Sequence, residues 1–420
     1  MHMRPYLSLS LFTGILLLSI TVFAQQSPQG IPLKKIMPEG QQNKPVDTAS
    51  VKVSSQKDLP DVIRELFHGK TIPEVDSITT KPQISVVPAI GYTLVSRLAL
   101  VLSGNVAFRT GPNSRVSTIV GSTSYTQNKQ FTLPIQTNIW SKDNQWDFVG
   151  DYRFMKYPQD TYGLGSSSKM SNVDPMDYFF VRFYEIVLRH VSGNFYAGGG
   201  YIFDDHFNIS QSGNANGSVS DYTRYGTSDR TVSSGFTFNG LFDSRDNAIN
   251  PSKGGYVNLE FRTSTKFTGS ATNWESIVLD MRKYYNLPEG SDNILALWSY
   301  DWIILSGKPG YLDLPSTAWD ANSATGRGYI QGRFRGTQMV YAESEYRFKL
   351  TSNGLLGGVV FLNAESLSAA QGTHLQTIQP GYGPGLRVKL NKVSKTNITI
   401  DYGFGSQGSR GLFIDVGENF

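Results

Sequence analysis

Cysteine is absent from all 420 residues. That single absence excludes a lipid-anchored N-terminus, a disulfide framework and thiolate metal sites. Histidine is scarce too, 5 in all, so imidazole-based metal or acid–base chemistry has few carriers. Beyond the N-terminus no run approaches the roughly 18 apolar residues that a membrane-crossing helix needs. Charge of one sign is lacking as well: 38 Lys plus Arg stand against 34 Asp plus Glu, a net +4 with no polybasic block. Nucleic-acid binding finds no support there.

What is present is glycine (42), tyrosine (22) and phenylalanine (24), with the aliphatic residues thinly spread. The chain opens on Arg4, an apolar run from Leu7 to Phe23, and Val22-Phe23-Ala24 before Gln25. That is the pattern of a cleaved secretory signal. The expected organisation is a signal peptide at 1–24, a periplasmic tail at 25–81, and a β domain at 82–420. The tail is rich in Pro, Gln, Lys and Ser and holds one helical stretch, "DLPDVIRELFHGK". There Val62, Ile63, Leu66 and Phe67 recur at helical spacing, with Asp58 or Asp61 as cap and Gly69 as stop. Such a helix plugs or braces the mouth of the β domain, or packs on its surface.

From about Gln83 the hydrophobic period becomes two. In "NITIDYGF" Ile398, Ile400, Tyr402 and Phe404 share one face while Thr399, Asp401 and Gly403 share the other. In "MVYAESEYRFKL" Val340, Ala342, Tyr346, Phe348 and Leu350 lie opposite Tyr341, Glu343, Glu345 and Arg347. Charges on the second face of a mid-strand suit a barrel with lipid outside and a wet lumen. About sixteen such segments, from 83–91 to 410–420, predict an all-β fold: a membrane-spanning antiparallel β-barrel of even strand number behind a short N-terminal periplasmic segment. Counting direction along the chain puts "DSRDNAINPSKG", between strands 8 and 9, on the periplasmic side. The long segment from Gly307 to Gly332, between strands 11 and 12, falls outside the cell. The closing "GLFIDVGENF" sets Leu412, Ile414, Val416 and Phe420 on one face, with Glu418 at a headgroup interface. Gly417 and the aromatic Phe420 read as the C-terminal assembly signal of an outer-membrane barrel.

Four pieces then carry a family resemblance: "LFDSRDNAINPSKGGYV" (241–257), "GRGYIQGRFRG" (326–336), "AESEYRF" (342–348), and "PGYGPGLRV" with the closing strands. In order and spacing they resemble the bacterial surface antigen, or BamA/TamA, superfamily of sixteen-stranded outer-membrane barrels. The resemblance implies that the loop before strand 12 folds back into the barrel. Arg327-Gly328-Tyr329 is then its tip, Glu345 the wall acceptor, and Asn363 stands where the family commonly has a second acid. An arginine in a lumen needs carboxylate or carbonyl partners, and its planar fork suits a carboxylate. Fewer than sixty residues precede strand 1 after the cleavage site, without the pattern of polypeptide-transport-associated (POTRA) domains. The chain therefore reads as a member lacking the usual domains for client capture.

The function implied is outer-membrane biogenesis, by protein insertion or lipid handling, with a periplasmic or lipoprotein subunit supplying client recognition. Outer-membrane lipid, lipopolysaccharide and the machinery that inserts the barrel itself are the other expected partners; no cofactor or metal is expected. The alternative is a plugged, small-conductance pore. No enzyme is expected: His68, His190, His206 and His374 stand near no nucleophile elbow. Asp204-Asp205-His206 reads as a solvated turn rather than a metal site. Gly381 to Arg387 runs into a strand and is no phosphate loop, and Asp243 with Arg245 forms a turn rather than a calcium loop.

Overall fold

The computed structural model describes residues 56–66, 80–392 and 394–420. The signal segment and most of the tail, with Phe67 and Gly69, lie outside the described residues. The remainder forms one antiparallel sheet closed on itself. Its sixteen barrel strands are β1 (Gln83–Thr93), β2 (Arg97–Arg109), β3 (Val116–Thr126), β4 (Phe131–Trp140), β5 (Trp146–Lys156), β6 (Asp174–Ser192), β7 (Phe195–Gln211) and β8 (Arg230–Asp243), then β9 (Gly254–Ser264), β10 (Trp274–Asn286), β11 (Ile294–Gly307), β12 (Gln338–Lys349), β13 (Leu356–Ser368), β14 (Gln379–Asn391), β15 (Thr396–Gly405) and β16 (Arg410–Val416). A three-residue strand, Gln159–Thr161, adds to the outer end of β6.

Each strand alternates because successive side chains point to opposite faces. In β12 Met339, Tyr341, Glu343, Glu345 and Arg347 are buried in the lumen, while Val340, Ala342, Tyr346 and Phe348 face out. Outward positions elsewhere hold exposed Leu100, Phe183, Phe238, Leu259, Leu362 and Tyr402. In water that belt would be a large unfavourable apolar surface; against lipid it is the stable arrangement. No helix among the described residues is long and apolar enough to cross a membrane.

The two ends differ. One carries short turns; the other carries the long connections 157–173, 212–229 and 308–337. Here β6 and β7 extend past their neighbours and, with α2 (Asp221–Tyr225), enclose a cap of Tyr178, Phe180, Tyr222, Tyr311, Leu314 and Trp319. This extension corrects the reading of Asp204-Asp205-His206 as a solvated turn. All three lie within β7, with Asp204 and His206 buried in the lumen and Asp205 facing out onto Arg230 at 2.8 Å.

At the short-turn end the helix α1 (Leu59–Leu66) is tied to the rim. Its cap is reciprocal: the Asp61 N–H donates to the Asp58 carboxylate at 3.1 Å and the Asp58 N–H to Asp61 at 3.2 Å. Lys392, in the β14–β15 turn, donates its N–H to Asp58 at 3.1 Å and its ammonium to Asp61 at 2.9 Å. Lys57 N–H reaches Asn353 in the β12–β13 turn at 2.9 Å. Of the expected roles the structure shows a brace across two rim turns.

Closure is uneven. β1 meets β2 in continuous register from Gln83↔Ala107 to Thr93↔Arg97, and β15 meets β16 from Ile398↔Val416 to Phe404↔Arg410. β1 and β16 share one pair, Tyr92↔Ile414. The chain end limits the joint on one side. Gly417 takes φ +116°, a left-handed turn that glycine tolerates, and the strand stops at Val416. The expectation that Phe420 continues the outer apolar face is thereby corrected. Its ring is buried in the lumen, stacked on Trp298 with centroids 5.0 Å apart. Glu418, expected at a headgroup interface, accepts from Arg387 at 2.8 Å inside the barrel.

Candidate functional site

The connection 308–337 enters the lumen and folds there on itself. Thr317 N–H donates to Phe334 O at 3.0 Å, Gly332 N–H to Thr317 O at 2.9 Å, and Gly336 N–H to Pro315 O at 3.0 Å. Asp320 closes the intervening turn by accepting from the N–H groups of Ala324 and Thr325 at 3.0 and 2.9 Å. These bonds satisfy a buried loop internally, as a segment removed from water requires.

The tip is Arg327-Gly328-Tyr329. Gly328 has φ +110°, and a Cβ there would stand 2.6 Å from Phe404 O. The wall is cut back to receive it: a Cβ on Gly403 would meet Gly328 N at 2.6 Å, and one on Gly381 would meet Arg327 O at 2.5 Å. Glycines on the facing strands are thus part of the same fit. Tyr329 Oη donates to Pro380 O at 2.5 Å and accepts from Ser406 N–H at 2.8 Å. Ser409 Oγ donates to Gly328 O at 2.7 Å.

Arg327 carries the charge. One end of its guanidinium donates to Asp401 of β15 at 2.6 Å. The other donates to Glu345 at 2.5 Å and also to Glu343, both on β12. The Phe361 ring lies 3.9 Å from the guanidinium carbon, a cation–π contact. Two more arginines complete the network: Arg347 donates to Glu345 at 2.8 Å, and Arg387 donates to Asp401 and Glu418. Three guanidiniums therefore face four carboxylates, and all seven side chains are nearly or wholly excluded from solvent. Arg347 also donates to Phe420 O at 2.9 Å, and Asn419 Nδ2 to Ala324 O at 3.4 Å. The inward loop and the tucked chain end belong to one network.

Of the residues singled out in the sequence, Arg327, Gly328, Tyr329, Glu345 and Asn363 come together. Asn363 is not an acceptor for the guanidinium; its Nδ2 donates to the Arg327 main-chain oxygen at 3.0 Å. Glu343 and Asp401 were on the lumen face by parity, but nothing in the sequence singled them out as partners of Arg327. Phe420 stands apart from the outer face where the strand pattern put it, and Gly417 is the turn that takes it inward.

The same loop holds two further buried arginines. Arg335 donates to the carbonyls of Tyr311, Leu312 and Leu314 at 3.2, 3.1 and 3.5 Å, with no ion pair among the described residues. Arg333 donates to Ser168 and Gln407. Nearby, Asp313 accepts from Ser233 Oγ at 2.7 Å and lies 3.4 Å from His206 Nδ1. Burial, then repulsion from Asp204, push the Asp313 carboxyl up to about 7. Elsewhere Asp243 and Arg245 pair at 2.8 Å in the β8–β9 turn, and Gly381 to Arg387 lies within β14.

Comparison with known proteins adds the fold. No family model matches the chain, and no curated protein matches it in sequence. Among solved structures it is similar to BamA from Haemophilus ducreyi lacking POTRA domains 1–3. The TM-score is 0.50 at 13% identity, covering 80% of this chain and 69% of that one. It is also similar to CdiB from Acinetobacter baumannii, with TM-score 0.51 at 11% identity over 80% of this chain and 59% of that one. The fold is that of an outer-membrane barrel. At these identities the likeness is one of architecture, and this chain spans well under two thirds of CdiB.

Proposed function

We propose that the chain is an outer-membrane barrel of the BamA/TamA type that acts in outer-membrane biogenesis, through a weakly paired seam between β1 and β16. The observation that carries this reading is the single Tyr92↔Ile414 pair at a joint where every neighbouring joint is continuous. Unpaired strand edges are costly in lipid. A barrel that leaves one there has a site where another strand or a lipid can enter the wall. Client recognition would come from a separate periplasmic or lipoprotein subunit docking at the short-turn rim, where α1 braces two turns.

The absence of cysteine supplies a clean test. Tyr92→Cys with Ile414→Cys locks the seam on oxidation, and the abundance of newly assembled outer-membrane proteins is followed. Loss of assembly on oxidation, restored by a reductant, is the expected result; unchanged assembly with a fully formed crosslink overturns the reading. The pore alternative is disfavoured by the loop filling the lumen, and large stable conductance of the wild type in a planar bilayer would restore it.

A further inference from the structure

The outer wall near the short-turn end carries a groove of about 480 Å³, within the range of small-molecule sites. Register explains it. Two adjacent rows of outward residues cross four strands: Ser244, Gly255, Lys283 and Leu297, then Phe242, Val257, Met281 and Ser299. Strand spacing makes this about 14 Å wide. Gly255 and the two serines leave the floor low. The walls are apolar and unfilled: Phe242, Val257, Met281 and Leu297 are 41%, 37%, 38% and 38% exposed.

One cation serves this hollow. A Cβ built on Gly255 would lie 3.4 Å from Lys283 Cδ and 3.9 Å from its Nζ, so the lysine chain runs across the groove floor. Among the described residues no ion pair includes Lys283. Of the neighbouring cations, Arg245 pairs with Asp243 and Arg282 with Asp280, while Lys253 belongs to the β8–β9 turn and not to the groove lining. Lys283 also sits three residues from the end of β10, at the depth where strands leave the apolar band.

We propose that this groove binds a diacyl phospholipid of the periplasmic leaflet, its acyl chains on Phe242, Val257, Met281 and Leu297 and its phosphate on Lys283. Charge complementarity selects the occupant. An apolar hollow facing lipid, with at its interfacial end an ammonium that has the Tyr285 ring 5.4 Å away and no carboxylate partner among the described residues, matches a phosphodiester above two chains. Lipid A would approach from the opposite leaflet. The inference rests on the membrane placement of the barrel and is independent of whether the seam opens.

The test is native mass spectrometry of the full chain released from vesicles of phosphatidylglycerol and phosphatidylethanolamine, with lipid A as competitor. Boiled and unboiled gel mobility reports that each variant is folded. The wild type should keep one phospholipid at energies that strip the rest. Lys283→Gln and Gly255→Leu should each lower that retention about fivefold, and Lys283→Arg should preserve it. Equal retention in all variants, or preferential capture of lipid A, overturns the proposal. If Gly255→Leu does not fold, the Gln and Arg substitutions decide it alone.

Discussion

Arg327 and Arg335 sit eight positions apart in one loop and are both buried, yet they are neutralised in opposite ways. Arg327 meets three carboxylates on two strands of the wall. Arg335 meets carbonyls of its own connection and the Tyr311 ring, with no carboxylate among the described residues. The first arrangement ties loop to barrel; the second ties the loop to itself. Formal charge at a tip is thus answered by formal charge where two elements must be joined, and by peptide dipoles where one element must only hold its shape.

The largest expected effect comes from removing the cation that joins the elements. Arg327→Ala leaves Glu343, Glu345 and Asp401 buried with less compensation and should cost about 3–5 kcal/mol. It is read from denaturant unfolding of the reconstituted barrel by gel mobility. Arg335→Ala strands three carbonyls and should cost about 1–3 kcal/mol. Equal losses would break the comparison.

A smaller effect tests geometry. Arg327→Lys keeps the charge but cannot reach β12 and β15 at once, so it should recover less than half of the Arg327→Ala loss. At Arg335, where all acceptors cluster in one turn, lysine should recover most of it. The same unfolding midpoints check both.

Smaller still is Asn363→Asp. It sets a carboxylate against the Arg327 carbonyl in a network already rich in acids, for a loss of roughly 1–3 kcal/mol at neutral pH. Protonation restores a donor, so the loss should shrink as pH falls; a stabilised variant at pH 7 would contradict the role given to Asn363.

A pH-dependent effect belongs to Asp313. Its carboxyl is raised from 3.8 to about 7, so the folded barrel holds a proton that the unfolded chain has released. Its contribution is complete below pH about 4, declines as pH rises toward 7 and is flat above. Asp313→Asn should remove that slope from the pH dependence of the unfolding midpoint.

Much of the fold was legible in the sequence because strand alternation is local. Period two alone puts Glu343, Glu345 and Asp401 on the lumen face and Val340 and Ile400 on the other. Partnership was not legible. Whether Arg327 meets one acid or three depends on how β12 and β15 are staggered and on glycines 381 and 403 that let the tip approach. The chain end failed for a similar reason: parity extends any strand indefinitely, while Gly417 stops this one and sends Phe420 inward. Asp204-Asp205-His206 departs from the turn that its polarity suggests because β7 runs on into the cap.

The most direct test of the lock is a double-mutant cycle on Arg327→Ala and Glu345→Ala, measured as unfolding free energies in one lipid system. The account predicts strong coupling, with the double variant losing no more than the worse single. Losses that simply add would mean that the two side chains act independently and that the inward loop is held by something else.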